Sequence, residues 1–139
     1  MVTAYIAGRY GRRKEFKEYA EILKNYDIDV LSTWLEGKHE NKEGHGTRDE
    51  MEQWSNDDIT DIIRSKLFIC FTEDREAGYT SGGRHVEFGY ALCLEKKIIL
   101  IGQRENIFYN YYNIEQFNDF KTFLFYIQDK SVRERILGI

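Results

Sequence analysis

Proline is absent from this chain, so its turns must rest on glycine, asparagine and aspartate. No apolar run reaches the roughly 18 residues that a membrane-spanning helix needs, which excludes that class on sequence grounds. A basic excess is missing too: 20 Lys and Arg stand against 24 Asp and Glu, a net charge of −4. Nucleic-acid polymers are therefore not the expected partner, since their electrostatic footprint is a basic surplus. A small anion held by a few local arginines remains compatible. Cysteine occurs twice, and Cys70 and Cys93 lie inside the apolar runs FICF and ALCL, where small buried thiols of a reducing cell are expected. The N-terminal stretch MVTAYIAGRYGRRKEF carries its charges after its apolar residues, the reverse of a secretion leader. The expectation is a cytoplasmic protein. No internal repeat, low-complexity tract or linker interrupts the sequence.

What is present is a chain of 139 residues, 42% apolar and 32% charged, long enough for one domain over 1–139 with a substantial core. Short β-type runs alternate with longer helical ones. VTAYIA (2–7), IDVLST (28–33), LFICFT (67–72) and KIILI (97–101) read as strands. Phe16, Tyr19, Ala20 and Leu23 mark a helical face within 12–25. Thr47 three residues before Glu50 signals a capping box, with a helix running to about residue 64. Further helices are expected over 84–95 and over 115–128, where Phe117, Phe120, Leu124 and Ile127 recur at helical spacing. The polar stretch 34–46 reads as a loop. Alternating strands and helices predict an α/β fold, a Rossmann-like (flavodoxin-like) doubly wound, mainly parallel sheet of four to five strands covered by helices on both faces. Ligands bind beyond the carboxyl ends of such strands.

Several residues there could carry chemistry. Gly8 and Gly11 allow close approach of backbone N–H groups in the first turn. Arg9, Arg12 and Arg13 add positive charge at a helix N-terminus, an arrangement that suits a phosphate. Solvated arginines after a tight turn are the plainer alternative. The second helix carries Asp57, Asp58 and Asp61; Asp58 falls in the gap of the stripe Met51, Trp54 and Ile62, and burial there would raise its pKa. Asp57 and Asp61 read as solvated charges. In SGGRHVEFGYA (81–91), Gly82 and Gly83 precede a helix on which Glu87 shares a face with Tyr90, Ala91 and Leu94. The helix dipole is expected to favour ionised Glu87 while Asp58 tends to stay protonated. Such a split suits a nucleophile and an acid flanking an anomeric carbon, roughly 5 Å apart in a retaining glycosyl transfer. Ordinary roles, a first-turn acid for Glu87 and an N-cap for Ser81, stay open. His39, His45 and His85 show no metal-ligand spacing, so a metal is not expected, and the glycosyl chemistry itself requires no metal or organic cofactor. The aromatic run IFYNYYNIEQF (107–117) suits core packing or a subunit interface.

Over nearly its whole length the chain resembles the nucleoside 2-deoxyribosyltransferase family, including its nucleotide N-hydrolase branch. The segments that carry the likeness are TAYIAG, LSTWLEG, DDITDIIRSKLFICFTE, SGGRHVEFGYAL and KKIILIGQRENIF, in that order. The resemblance implies a Rossmann-like fold and catalytic roles for three residues. Glu87 resembles the nucleophile, Asp58 the acid on the preceding helix, and Tyr5 the tyrosine that orients the nucleophile. Gly8 to Arg13 resembles the loop at the sugar's 5′ side, and Ser81 occupies the position that contacts a 5′-phosphate in the N-hydrolase branch. Asn106 is a candidate for a polar residue lent to a neighbouring subunit, so a homo-oligomer is implied. The expected substrate is a small nucleoside or its 5′-monophosphate, cleaved or transferred at the N-glycosidic bond. Two other readings share the architecture: a nucleotide-binding sensor without chemistry, and a flavodoxin-like electron carrier.

Overall fold

A computed structural model describes residues 1–37, 46–74 and 82–139. Five parallel strands form one sheet: β1 (Val2–Ala7), β2 (Ile28–Val30), β3 (Leu67–Phe71), β4 (Lys97–Ile101) and β5 (Glu115–Phe117). Their order is β2-β1-β3-β4-β5, the flavodoxin-like arrangement, whose strand order reverses between β1 and β3. β3 and all of β4 beyond Lys97 are buried, as strands covered on both faces must be. In register, Tyr5 of β1 lies opposite Phe68 of β3, and Phe68 opposite Ile98 of β4.

Helix α1 (Arg13–Leu23) buries Phe16 and Leu23 and half-buries Tyr19 and Ala20, the expected stripe. Phe16 meets Phe71 at 4.5 Å between ring centroids, and Tyr19 stacks on Phe120 at 3.8 Å. These rings join α1 to α4 (Phe120–Ile127) on one face of the sheet. The other face carries α2 (Arg48–Arg64) and α3 (Gly83–Cys93), which pack on each other and on β1. The capping box at Thr47 is formed: its hydroxyl accepts from Glu50 N–H at 3.1 Å, and the Glu50 carboxylate accepts from Thr47 N–H at 2.9 Å.

Four expectations are corrected. The helix over 115–128 is a strand and then a helix. Phe117 pairs with Ile101 in the sheet, and Asp119 caps α4 by accepting from Thr122 N–H at 2.8 Å. The helical spacing of Phe117 misleads because it packs on Phe123 from the strand, at 5.2 Å between centroids. A further helix, α5 (Lys130–Leu137), follows, capped by Asp129 and burying Ile136 and Leu137. The second correction is β2, which stops at Val30 rather than Thr33. Beyond it Ser32 Oγ accepts from Ile6 N–H at 2.7 Å, and Trp34 Nε1 donates to Ile6 C=O at 2.8 Å, so side chains replace the ladder. Within the expected loop 34–46, Trp34 and Leu35 are buried in a 3-10 turn over Thr33–Glu36; residues 38–45 lie outside the described residues. Finally, Cys70 is buried but Cys93 is exposed, because α3 turns its last residue toward solvent.

Candidate functional site

Tyr5 stands on β1 two residues before the strand's end, facing α2 and α3. Its ring stacks on Phe68 at 5.7 Å and its hydroxyl donates to Glu87 Oε2. The buried residues of α3 are Arg84, Phe88 and Ala91. Glu87 lies beside them, whereas Tyr90 and Leu94, the neighbours expected to share its inward face, are exposed. Asp58 comes from α2, close enough that Glu87 is the second-largest influence on its ionisation. The structure thus brings Tyr5, Asp58 and Glu87 together from three elements.

Electrostatics there differ from the sequence expectation in one respect. Burial pushes Glu87 up to about 7, against the opposing hydrogen bond from Tyr5 and the charge of Arg84. The dipole argument for an ionised Glu87 fails because the helix field fades beyond the first turn, while the loss of water acts fully on a buried carboxylate. Asp58 goes further, up to about 8, through burial first and then the charges of Glu87, Asp61 and Asp57. The carboxyls are still ordered, Asp58 keeping its proton to higher pH. The phenol of Tyr5 is held well above its ordinary range by burial and by the charges of Glu87 and Asp58, so it remains a donor.

Asp61 is not solvated. It is buried, and its Oδ2 accepts from Thr33 N–H at 2.9 Å and from Thr33 Oγ1 at 2.8 Å. It ties α2 to the turn after β2. The stripe Met51, Trp54 and Ile62 suggested otherwise, but Met51 is exposed; the last turns of α2 bury Asp61 and Ile62.

In the first turn, Gly8 is required by packing: a Cβ there would come within 2.3 Å of the Phe16 ring. Gly11 has open space around it, and Arg9 is exposed. Arg12 does not reach out as a phosphate ligand. Its guanidinium bonds Glu15 at 2.7 and 3.1 Å, lies 3.3 Å from Glu73, and covers the Phe16 ring at 4.7 Å. Arg13 stacks over Tyr10 at 5.7 Å. Gly82, at φ +86° before α3, needs its freedom from a side chain; Gly83 opens the helix. Asn106 caps a 3-10 turn by accepting from Phe108 N–H at 2.9 Å. Ser81, His39 and His45 lie outside the described residues. The aromatic run divides: Tyr109 is buried, whereas Ile107, Phe108, Tyr111 and Tyr112 are exposed.

A network that the sequence reading missed sits beside Glu87. Buried Arg84 donates both guanidinium arms to Glu105, one at 3.0 Å, and a third bond to Tyr109 Oη at 3.1 Å. Tyr109 Oη also meets His85 Nδ1 at 2.8 Å. A buried cation needs a partner, yet Glu105 lies 21 positions on, beyond any local pattern. Among the described residues, no cluster of three or more His, Cys, Asp or Glu is arranged to hold a metal ion, and no helix is long and apolar enough to cross a membrane.

No family model and no curated protein sequence matches the chain. Solved structures do. A 2-deoxyribosyltransferase from Bacillus psychrosaccharolyticus superposes with a TM-score of 0.69 at 18% identity, over 86% of this chain and 88% of that one. A 2-deoxyribosyltransferase from Leishmania mexicana gives 0.63 at 14% identity, over 94% and 99%. A CMP N-glycosidase from Clostridium botulinum gives 0.60 at 20% identity, over 91% and 99%. This chain therefore has the α/β fold of the 2-deoxyribosyltransferases and of a CMP N-glycosidase.

Proposed function

We propose that this protein is an N-glycosidase or deoxyribosyltransferase-like enzyme, acting on the N-glycosidic bond of a nucleoside or its 5′-monophosphate. The observation that carries the reading is the part-buried hydrogen bond of Tyr5 to Glu87, with Asp58 close by. Two carboxyls ordered in acidity can divide the work of glycosyl transfer between them. The ionised Glu87 attacks the anomeric carbon and forms an ester to the sugar as the bond to the base breaks. Asp58, still protonated, supplies the proton that the departing base requires. Tyr5 holds one Glu87 oxygen and so leaves the other to react. Water or a second base then attacks the sugar carbon, gives up a proton to the Asp58 carboxylate and releases Glu87. The three neighbours support this choice, since two are named as 2-deoxyribosyltransferases and one as a CMP N-glycosidase.

In this reading Gly8, Arg9 and Gly11 of the first turn, with Gly82 and Gly83 at the start of α3, are assigned to the side of the sugar's 5′ end; Ser81, outside the described residues, is assigned to a 5′-phosphate by the resemblance alone. Arg12 belongs to that side only if an anion displaces Glu73 from it. The test is a chromatographic assay of nucleosides and 5′-monophosphates, with and without an acceptor base. Glu87→Gln should reduce base release roughly a thousand-fold or more and abolish any sugar adduct seen by mass spectrometry. Unchanged turnover in the folded variant would refute the mechanism.

A further inference from the structure

Arg84 occupies an unfavourable place. It is the second residue of α3, where the helix dipole repels cations. It is also only 5% exposed, so its charge is stripped of water. Glu105 neutralises it through a two-armed bond, and Tyr109 fixes a third donor. Buried ion pairs are weak contributors to stability compared with apolar side chains of similar size. A local rule broken in this way points to a role beyond holding the fold together. One helical turn further on stands Glu87. Residues three apart on a helix are neighbours, with about 5–6 Å between their Cβ atoms.

We propose that Arg84 is a positioning residue for Glu87, a buried cation locked by Glu105 and Tyr109 one helical turn before that carboxylate, whose charged form it favours. The inference rests on the reading of Glu87 as the reacting carboxylate. The titratable groups that interact with Glu87 are Tyr5 from β1, Cys70 from β3, Asp58 from α2 and Arg84 from α3 itself. Behind them, Asp57 and Asp61 act on Asp58, and His85, with Glu105 and Tyr109 from the segment after β4, on Arg84. In that set Arg84 is the permanent cation, because burial and the Arg84 charge both lower the pKa of His85. Arg84 and the Tyr5 hydroxyl are the two groups that favour ionised Glu87 against its burial.

The experiment reads Glu87 directly, by carboxyl 13C NMR titration of glutamate-labelled protein, with Glu87→Gln to assign the signal. Arg84→Gln should raise the Glu87 midpoint by about one pH unit. Arg84→Lys keeps the cation and should stay close to wild type. Glu105→Gln breaks the same ion pair but leaves the cation in place, so the midpoint should stay or fall. A midpoint unmoved in Arg84→Gln, or an equal rise in Glu105→Gln, overturns the proposal. Should Arg84→Gln not fold, Arg84→Lys and Glu105→Gln carry the test, and a rise in either overturns it. The outcome is separable from the proposed activity. If Glu87→Gln keeps turnover, the catalytic reading fails while the titration still reports on Arg84. If turnover is lost but the titration ignores Arg84, only this inference fails.

Discussion

Asp58 trades stability for its proton. The folded chain keeps that proton to about pH 8, whereas an ordinary aspartate releases it near 3.8. The folded state therefore binds the proton more tightly than the unfolded chain does. Its advantage is full below pH 4 and is lost as pH rises through about 8. Asp58→Asn has no such proton to lose. It should match wild type near pH 4 and be more stable by about 2 kcal/mol at pH 8, a figure reduced for the part of the side chain that water still reaches. Chemical denaturation at the two pH values measures this, and an equal difference at both would contradict it. The same variant should lose base release, a gain in stability at the expense of function. Position 58 was picked out by the gap between Trp54 and Ile62, although Met51, the third member of that stripe, is exposed. The rise at Glu87 was not legible, because helix position suggests a dipole whereas only packing reveals the loss of water.

At the scale of elements, the link between α2 and the turn at Thr33–Glu36 depends on Asp61. Asp61→Ala removes the acceptor of the Thr33 N–H and hydroxyl, which water can partly replace because Thr33 is exposed. Stability should fall by about 1 kcal/mol. Trp34, held in that turn by its bond to Ile6 C=O, should show a red-shifted fluorescence. An unchanged melting point and spectrum would show that the link is dispensable. Elements with local signals were readable from sequence. The capping box names the start of α2 because Thr47 and Glu50 satisfy each other's backbone within one turn. The fully apolar runs of β3 and β4 identify covered strands. β5 was not readable: its three residues become a strand only by pairing with β4, and nothing within them distinguishes Phe117 from a helical position. Asp61 was misplaced for a related reason, since its partner comes from another element.

For the molecule as a whole, exposed apolar side chains gather in the turn after β4. Ile107 is 77% exposed and Tyr112 75%, with Phe108 and Tyr111 beside them. An exposed apolar patch of this kind suits a contact surface. We expect a homo-oligomer, with Phe108→Asp shifting sedimentation toward the monomer. A wild-type monomer at micromolar concentration would remove that expectation.

The sequence by itself determined the class of the fold, because strand and helix periods are written in the order of apolar residues. It also singled out Glu87 as a candidate, through a segment, SGGRHVEFGYAL, specific enough to suggest a likeness. Only the tertiary structure decided what those groups experience. It withdrew Arg12 toward Glu15 and Glu73, buried Asp61, set Arg84 against Glu105, and raised Glu87 by closing water away from it. Each of these depends on partners distant along the chain, and electrostatic energy in a protein interior depends on distance through space and on lost solvent.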